Sequence, residues 1–250
     1  MLMPETFPLA LVTGGAHRLG KAFALTLARA GYAIALHYNT SAAAAARTAD
    51  ELRALGVPVF PLQADLADEA QIEALFSSLD AALSAQAAPL TGLSVLVNSA
   101  AVMRRADARS LSAAEIDPIL DVNLRAPFLC ARQAFPRMSA GGLIVNVSDV
   151  AAQKAWTGFP AYTVSKAALE SLTRVQARAY APLVRVNAIA PGLVLPPDDM
   201  PFDDWDRLVG RLPLKRPAAL EELALTLDFL LENEYITGQT IVVDGGFSLL

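Results

Sequence analysis

The chain has 250 residues, 54% hydrophobic and 18% charged, a balance that excludes disorder and can support a sizeable core. Lys and Arg number 20 against 25 Asp and Glu, a net charge of −5, which disfavours an electrostatic nucleic-acid binder. The one cysteine, Cys130, permits no intrachain disulfide, and two histidines, His17 and His37, are too few for a typical zinc site.

The longest uncharged apolar run, Leu90–Met103, falls short of the ~18 residues a membrane helix needs. Glu5 is the only charge before Arg18, so the basic start of a secretory signal is missing. A soluble, cytoplasmic protein is expected, with no membrane or nucleic-acid partner and no metal.

In chain order, strands are expected at Leu9–Thr13, Ala33–Tyr38, Val57–Leu62, Ser94–Asn98, Leu143–Val147, Val184–Ile189 and Thr240–Val243. Helices are expected at Leu19–Ala30, Ala42–Leu55, Glu69–Ser84, Ala113–Met138, Ala161–Ala181 and Leu220–Leu231. Near-continuous apolar strands alternating with helices imply one α/β domain: a doubly wound parallel sheet, helices on both faces, joined by right-handed crossovers. Pro196–Asp206 is proline-rich and acidic around Phe202 and Trp205. It reads as a solvated connection or, since it follows a strand end, as a substrate lid reaching to residue 212.

The turn Thr13–Gly20 lies between the first strand and first helix, with Gly14, Leu19 and Gly20 small or apolar enough to admit a pyrophosphate near the helix N-terminus. Its spacing differs from G-x-G-x-x-G, and Arg18 stands where a further glycine would be expected. Arg18 is either a surface cation or a clamp for phosphate or substrate, and the clamp is favoured. At the end of the second strand, His37, Tyr38, Asn39, Thr40 and Ser41 offer no carboxylate, and no acid occurs between Gly20 and Asp50. A carboxylate there would hold a ribose 2′-hydroxyl and repel a 2′-phosphate, so NADPH is the expected cofactor.

Tyr162 and Lys166 stand at i and i+4 on one helical face. A cation about 4 Å from the phenol, at an effective dielectric of ~20, is worth about 4 kcal/mol, or roughly 3 pKa units. That would bring Tyr162 toward the range useful for proton transfer.

Together these motifs resemble the short-chain dehydrogenase/reductase family over nearly the full chain, which implies a Rossmann-type fold. The matching residues are Thr13–Gly20, Asp65, Asn98-Ser99-Ala100, Asn123, Tyr162 with Lys166, Pro191-Gly192, and Thr237-Gly238 followed by Val243-Asp244-Gly245-Gly246. The resemblance implies that Tyr162 donates the proton, Lys166 binds the nicotinamide ribose and Asn123 holds a water. It also implies that Asp65 and Leu66 meet the adenine, Asn98, Ser99 and Ala100 line the cofactor, and Pro191-Gly192 lie near the nicotinamide amide. It implies a homotetramer as well, and the apolar tail Phe247–Leu250 is expected between subunits.

The family's usual serine, 13 residues before the tyrosine, is replaced by Asp149, with Ser148 adjacent as an alternative register. An ionised carboxylate only accepts hydrogen bonds and would raise the Tyr162 pKa, so Asp149 suits a substrate with N–H donors, or must itself be protonated. Asp149, Arg18 and the His37-Tyr38-Asn39-Thr40-Ser41 segment resemble the pteridine reductase branch. That resemblance implies hydride delivery from NADPH to a pterin, with Asp149 and Tyr162 handling the proton and Arg18 contacting substrate. Met103 stands where that branch places an aromatic ring and Ala101 where it often has a serine; Trp156, Phe159 and Trp205 are candidate substitutes. The leading expectation is a reductase of a 7,8-dihydropterin or dihydrofolate. The rivals are an NADPH-dependent carbonyl or quinone reductase and, less favoured, a non-catalytic NADPH sensor.

Overall fold

The computed structural model describes residues 6–84, 90–197 and 200–250. Seven strands among them form one sheet: β1 (Phe7–Thr13), β2 (Ala33–Tyr38), β3 (Val59–Gln63), β4 (Leu90–Asn98), β5 (Met138–Val147), β6 (Val184–Pro191) and β7 (Thr240–Val243). Their order is β3-β2-β1-β4-β5-β6-β7, and every neighbouring pair is parallel. Leu9, Leu11, Leu36, Leu96 and Ile144 are wholly buried, as runs of aliphatic residues require when a sheet is covered on both faces.

The helices are α1 (Arg18–Arg29), α2 (Ala42–Arg53), α3 (Glu69–Ser84), α4 (Ala113–Leu120), α5 (Ala126–Ala134), α6 (Pro160–Tyr180), α7 (Phe202–Arg211) and α8 (Leu220–Glu232). One layer holds α1, α2 and α8; the other holds α3 to α6. The first layer buries Phe23 and Leu27 from α1 and Leu223 and Leu227 from α8 in the core. No helix among the described residues is long and apolar enough to cross a membrane.

Two expectations about elements are corrected. The long helix expected over Ala113–Met138 is α4, a π-helical turn at Asp121–Arg125, then α5 and a short 3-10 turn, with Met138 already opening β5. Pro127 has no N–H to give the Asn123 carbonyl, so the regular i→i+4 ladder fails there. The expected connection Pro196–Asp206 instead contains the start of α7, where prolines precede the helix and Asp203 and Asp204 occupy its first turn, a placement the helix dipole favours. Asp198 and Asp199 of that segment lie outside the described residues.

The chain reverses its winding between β1 and β4, so the carboxyl ends of these two strands open a crevice.

Candidate active site

Two cavities occupy that crevice, of about 480 Å³ and about 690 Å³. Arg18, Leu19, Ser99 and Ala101 line both, so they are two parts of one cleft.

The smaller cavity is walled by the β1–α1 turn, the end of β2, and Asp65 and Leu66. Gly14 has φ +64°, and a Cβ on it would come within 2.9 Å of the Ala100 Cα. A Cβ on Gly20 would lie 2.2 Å from the Gly14 carbonyl oxygen, so this turn closes only with glycine. The Thr13 hydroxyl accepts from Ser99 N–H (3.0 Å) and Ala100 N–H (3.2 Å), pinning the β4 end beside the turn. His17 caps α1 without a side-chain bond, and no acid occupies the helix's first turn. Tyr38, Asn39, Thr40 and Ser41 line the same cavity. The Asp65 carboxylate accepts from the Ala67 N–H at 3.0 Å.

Three residues expected at the cofactor are also held by bonds within the protein; His37 and Arg18 still line the smaller cavity, while Asn98 does not. His37 is buried; its Nδ1 accepts from the Gly14 N–H (3.1 Å), so Nε2 carries the proton toward the Ala64 carbonyl (3.0 Å). Burial pushes its pKa down despite the Ala64 bond and nearby Asp65, keeping it neutral and holding the turn in shape. Asn98 lines neither cavity: its Nδ2 donates to Asn146 Oδ1 (2.8 Å), and Asn146 donates to the Thr173 hydroxyl (2.9 Å), locking β4 to β5 and α6. Arg18, with φ 52°, donates to the Leu195 and Pro196 carbonyls at 3.2 and 3.1 Å. It thereby ties the turn to the segment following β6.

The larger cavity contains Asp149, Tyr162 and Lys166, with Met103, Trp156, Phe159, Trp205, Pro191 and Gly192 in its walls. Asp149 caps a 3-10 turn, its Oδ1 accepting from the Ala151 N–H at 2.7 Å. Its Oδ2 accepts from the Tyr162 hydroxyl at 2.8 Å. The alternative, Ser148, donates instead to Glu170 Oε1 at 3.1 Å, so Asp149 is the residue that meets the phenol. Burial pushes the Asp149 carboxyl above the usual carboxylate range, against the Ala151 and Tyr162 bonds and the charge of Lys166.

The expectation that Lys166 lowers the Tyr162 pKa is corrected. The Lys166 ammonium donates to the Val147 carbonyl at 2.7 Å and lies 5.7 Å from the Tyr162 ring centroid. Burial first, then the charge of Asp149 and the bond to it, raise Tyr162 well above the ordinary phenol value. Burial also lowers Lys166 to about 8, opposed by Asp149. Tyr162 is therefore a protonated donor in this arrangement.

Asn123, expected to hold a water, has its side chain committed within the protein. Its Oδ1 accepts from the Val102 N–H (2.7 Å), and Nδ2 donates to the Val102 carbonyl (2.8 Å) and the Ser165 hydroxyl (3.0 Å). It buttresses the loop after β4 against α6.

Sequence reasoning missed Arg105, Lys154, Leu208 and Arg211 in the cavity wall. The spacing of Trp205, Leu208 and Arg211 along α7 was the available signal for two of them. The tail expected between subunits lies partly on its own chain. Lys154 Nζ donates to the Phe247 carbonyl (3.0 Å), and the Phe247 ring centroid is 5.8 Å from that of Trp156, whereas Leu249 is 83% exposed.

A tyrosine and lysine one helical turn apart, across a cleft from a glycine-rich strand-to-helix turn, define an α/β oxidoreductase that works at the carboxyl edge of its sheet. Residues 14–248 match the family described as enoyl-(acyl carrier protein) reductase, and the chain belongs to the short-chain dehydrogenase/reductase family. It is 33% identical to 3-oxoacyl-[acyl-carrier-protein] reductase FabG of Staphylococcus aureus, over 95% of this chain and 96% of that one. FolM alternative dihydrofolate reductase 1 from Brucella suis, in complex with NADP, superposes with TM-score 0.87 at 34% identity, covering 97% of this chain and 95% of that one. The angucycline C-6 ketoreductase LanV with bound NADP gives TM-score 0.91 at 30% identity, covering 98% of each chain.

Proposed function

We propose that the protein is an NADPH-dependent reductase of a pterin ring, taking a 7,8-dihydropterin or dihydrofolate to the tetrahydro form. The observation that carries this reading is the Asp149–Tyr162 pair, a half-buried acceptor set beside a protonated donor in the cavity wall. Ring N–H and amino groups of a pterin supply the donors that Asp149 needs, and FolM is a relative by structure.

The smaller cavity fits the cofactor. The first turn of α1 leaves amide groups without a side-chain cap for a pyrophosphate, and Gly20 lets the turn beside them close. Tyr38, Asn39 and Ser41, with Arg18 close by, would receive the 2′-phosphate, and Asp65 and Leu66 the adenine. Ser99 and Ala100 would line the middle, and Lys166, Pro191 and Gly192 the nicotinamide end. Bound there, the reduced nicotinamide supplies a hydride.

Within the chain, Asp149 orients the pterin through its N–H groups and Arg18 borders it. Tyr162 gives its proton to the ring nitrogen of the C=N bond whose carbon takes the hydride, and the C=N π pair becomes the new N–H bond. The phenolate left behind regains a proton from water, and Lys166 would hold the nicotinamide ribose. Asn123 acts through Ser165 and the Val102 loop as a positioning residue. Trp205 on α7 and Met103 cover the substrate, α7 closing as a lid. The assembly is a cytoplasmic homotetramer on this reading, tested by the mass in solution.

A carbonyl reductase is the second reading. The elevated Asp149 pKa favours it, since a protonated carboxyl can donate to a ketone oxygen, and LanV is a ketoreductase. NADPH consumption with 7,8-dihydropterins and dihydrofolate, beside a panel of ketones and quinones, separates the two. Turnover of pterins supports the first reading; turnover confined to carbonyl compounds replaces it with the second.

A further inference from the structure

Arg105 sits two residues beyond Met103, in the loop after β4, and is held on the opposite segment of the cavity wall. The Ala106 N–H donates to the Gly158 carbonyl at 3.0 Å, binding the loop to the residues that precede α6. The Arg105 guanidinium carbon lies 5.0 Å from the Phe159 ring centroid, a cation–π platform. A Cβ at Gly158 would come within 3.3 Å of Arg105 Nη1, so glycine makes room for this placement.

The charge of Arg105 has no counter-ion among the described residues. Arg109, four residues on, shows the contrast: its guanidinium is bound to Asp107 through Nε and Nη2. Arg211 also lines the cavity without an ion pair, on the stripe of α7 that carries Trp205 and Leu208. Both arginines are solvent-exposed, so they stand on the rim of the cleft, in a chain of net charge −5. A guanidinium stacked on a ring keeps its N–H edge for a planar anion.

The geometry points to an anion subsite on this rim, in which Arg105, assisted by Arg211, takes a carboxylate carried on the substrate's tail. This inference rests on the pterin reading and narrows it: pterins with a carboxylated side chain, as in dihydrofolate, are preferred over those with a neutral hydroxyalkyl chain.

The test compares KM for dihydrofolate and for a neutral hydroxyalkyl 7,8-dihydropterin in wild type, R105Q, R105K and R211Q, at low and high salt. R105Q is expected to raise the dihydrofolate KM about three- to tenfold, R211Q less, and R105K to recover most of the loss. Salt raises the wild-type KM for dihydrofolate and leaves the neutral substrate unchanged. Equal effects on both substrates, or none, overturn the subsite while the pterin reading stands, as does turnover of the neutral pterin alone. R211Q, which leaves Phe159 untouched, separates a charge effect from disturbance of that ring. Turnover of neither pterin overturns both.

Discussion

The Tyr162 hydroxyl donates its hydrogen bond to Asp149 across 2.8 Å, while Lys166, one turn along the same helix, donates to the Val147 carbonyl. The carboxylate, rather than the ammonium, is the phenol's direct partner. It raises the pKa of both: Tyr162 climbs further above the phenol value, and Lys166 is kept from falling below about 8.

That coupling fixes a pH dependence. Lys166 is protonated below about 8 and loses its charge as pH rises through that value, so kcat/KM falls on the alkaline side. In D149N the anion that sustains Lys166 is gone, and the alkaline limb moves to lower pH. A limb unmoved by D149N contradicts the coupling.

Cofactor choice follows from the end of β2. N39D places a carboxylate where the 2′-phosphate would lie, and like charges a few ångströms apart cost about 1–2 kcal/mol or more at a protein surface. The NADPH-to-NADH ratio of kcat/KM should fall about tenfold or more, by the 1.4 kcal/mol per decade rule. Wild-type turnover with NADH equal to or better than with NADPH would refute the assignment.

Gly20 tests the tightness of the turn. G20A sets a Cβ 2.2 Å from the Gly14 carbonyl oxygen, so the backbone must shift. Overpacking of this kind costs about 1–3 kcal/mol. A lower denaturation midpoint and weaker NADPH binding are expected together, read by chemical unfolding and calorimetry.

Asn98 separates scaffold from site. N98A removes the donor to Asn146 Oδ1 in a buried chain of amides, a loss of about 1–3 kcal/mol in stability. NADPH affinity of the folded fraction should stay near that of wild type, because Asn98 lines neither cavity. Strong loss of affinity at unchanged stability would return Asn98 to the cofactor.

The strand and helix alternation was legible because apolar runs such as Leu9–Thr13 and Ala33–Tyr38 admit only one burial pattern, covered on both faces. The helix α7 was hidden by Pro196, Pro197 and Pro201 and its acids, which read as a loop until Trp205 and Leu208 are seen facing the cleft. The π-helical turn at Asn123 depends on which carbonyl Pro127 deprives, a detail that helical periodicity does not carry. In the site, Tyr162 and Lys166 were legible by spacing, and Asp149 through the resemblance to the family. Their hydrogen-bond partners were not, since the direction of the Tyr162 bond depends on burial and on a 3-10 turn that aims Asp149. Arg105 gave no sequence signal, because its place on Phe159 exists only once Gly158 brings two distant segments together.

The most direct test is NADPH-dependent reduction of a 7,8-dihydropterin by wild type and D149S under identical conditions. Loss of a hydrogen bond to a charged acceptor is worth about 1.5–3 kcal/mol, so kcat/KM should fall at least about tenfold in D149S, with NADPH binding retained. Pterin turnover undiminished or improved in D149S would contradict the assignment of Asp149 as the group that recognises the ring.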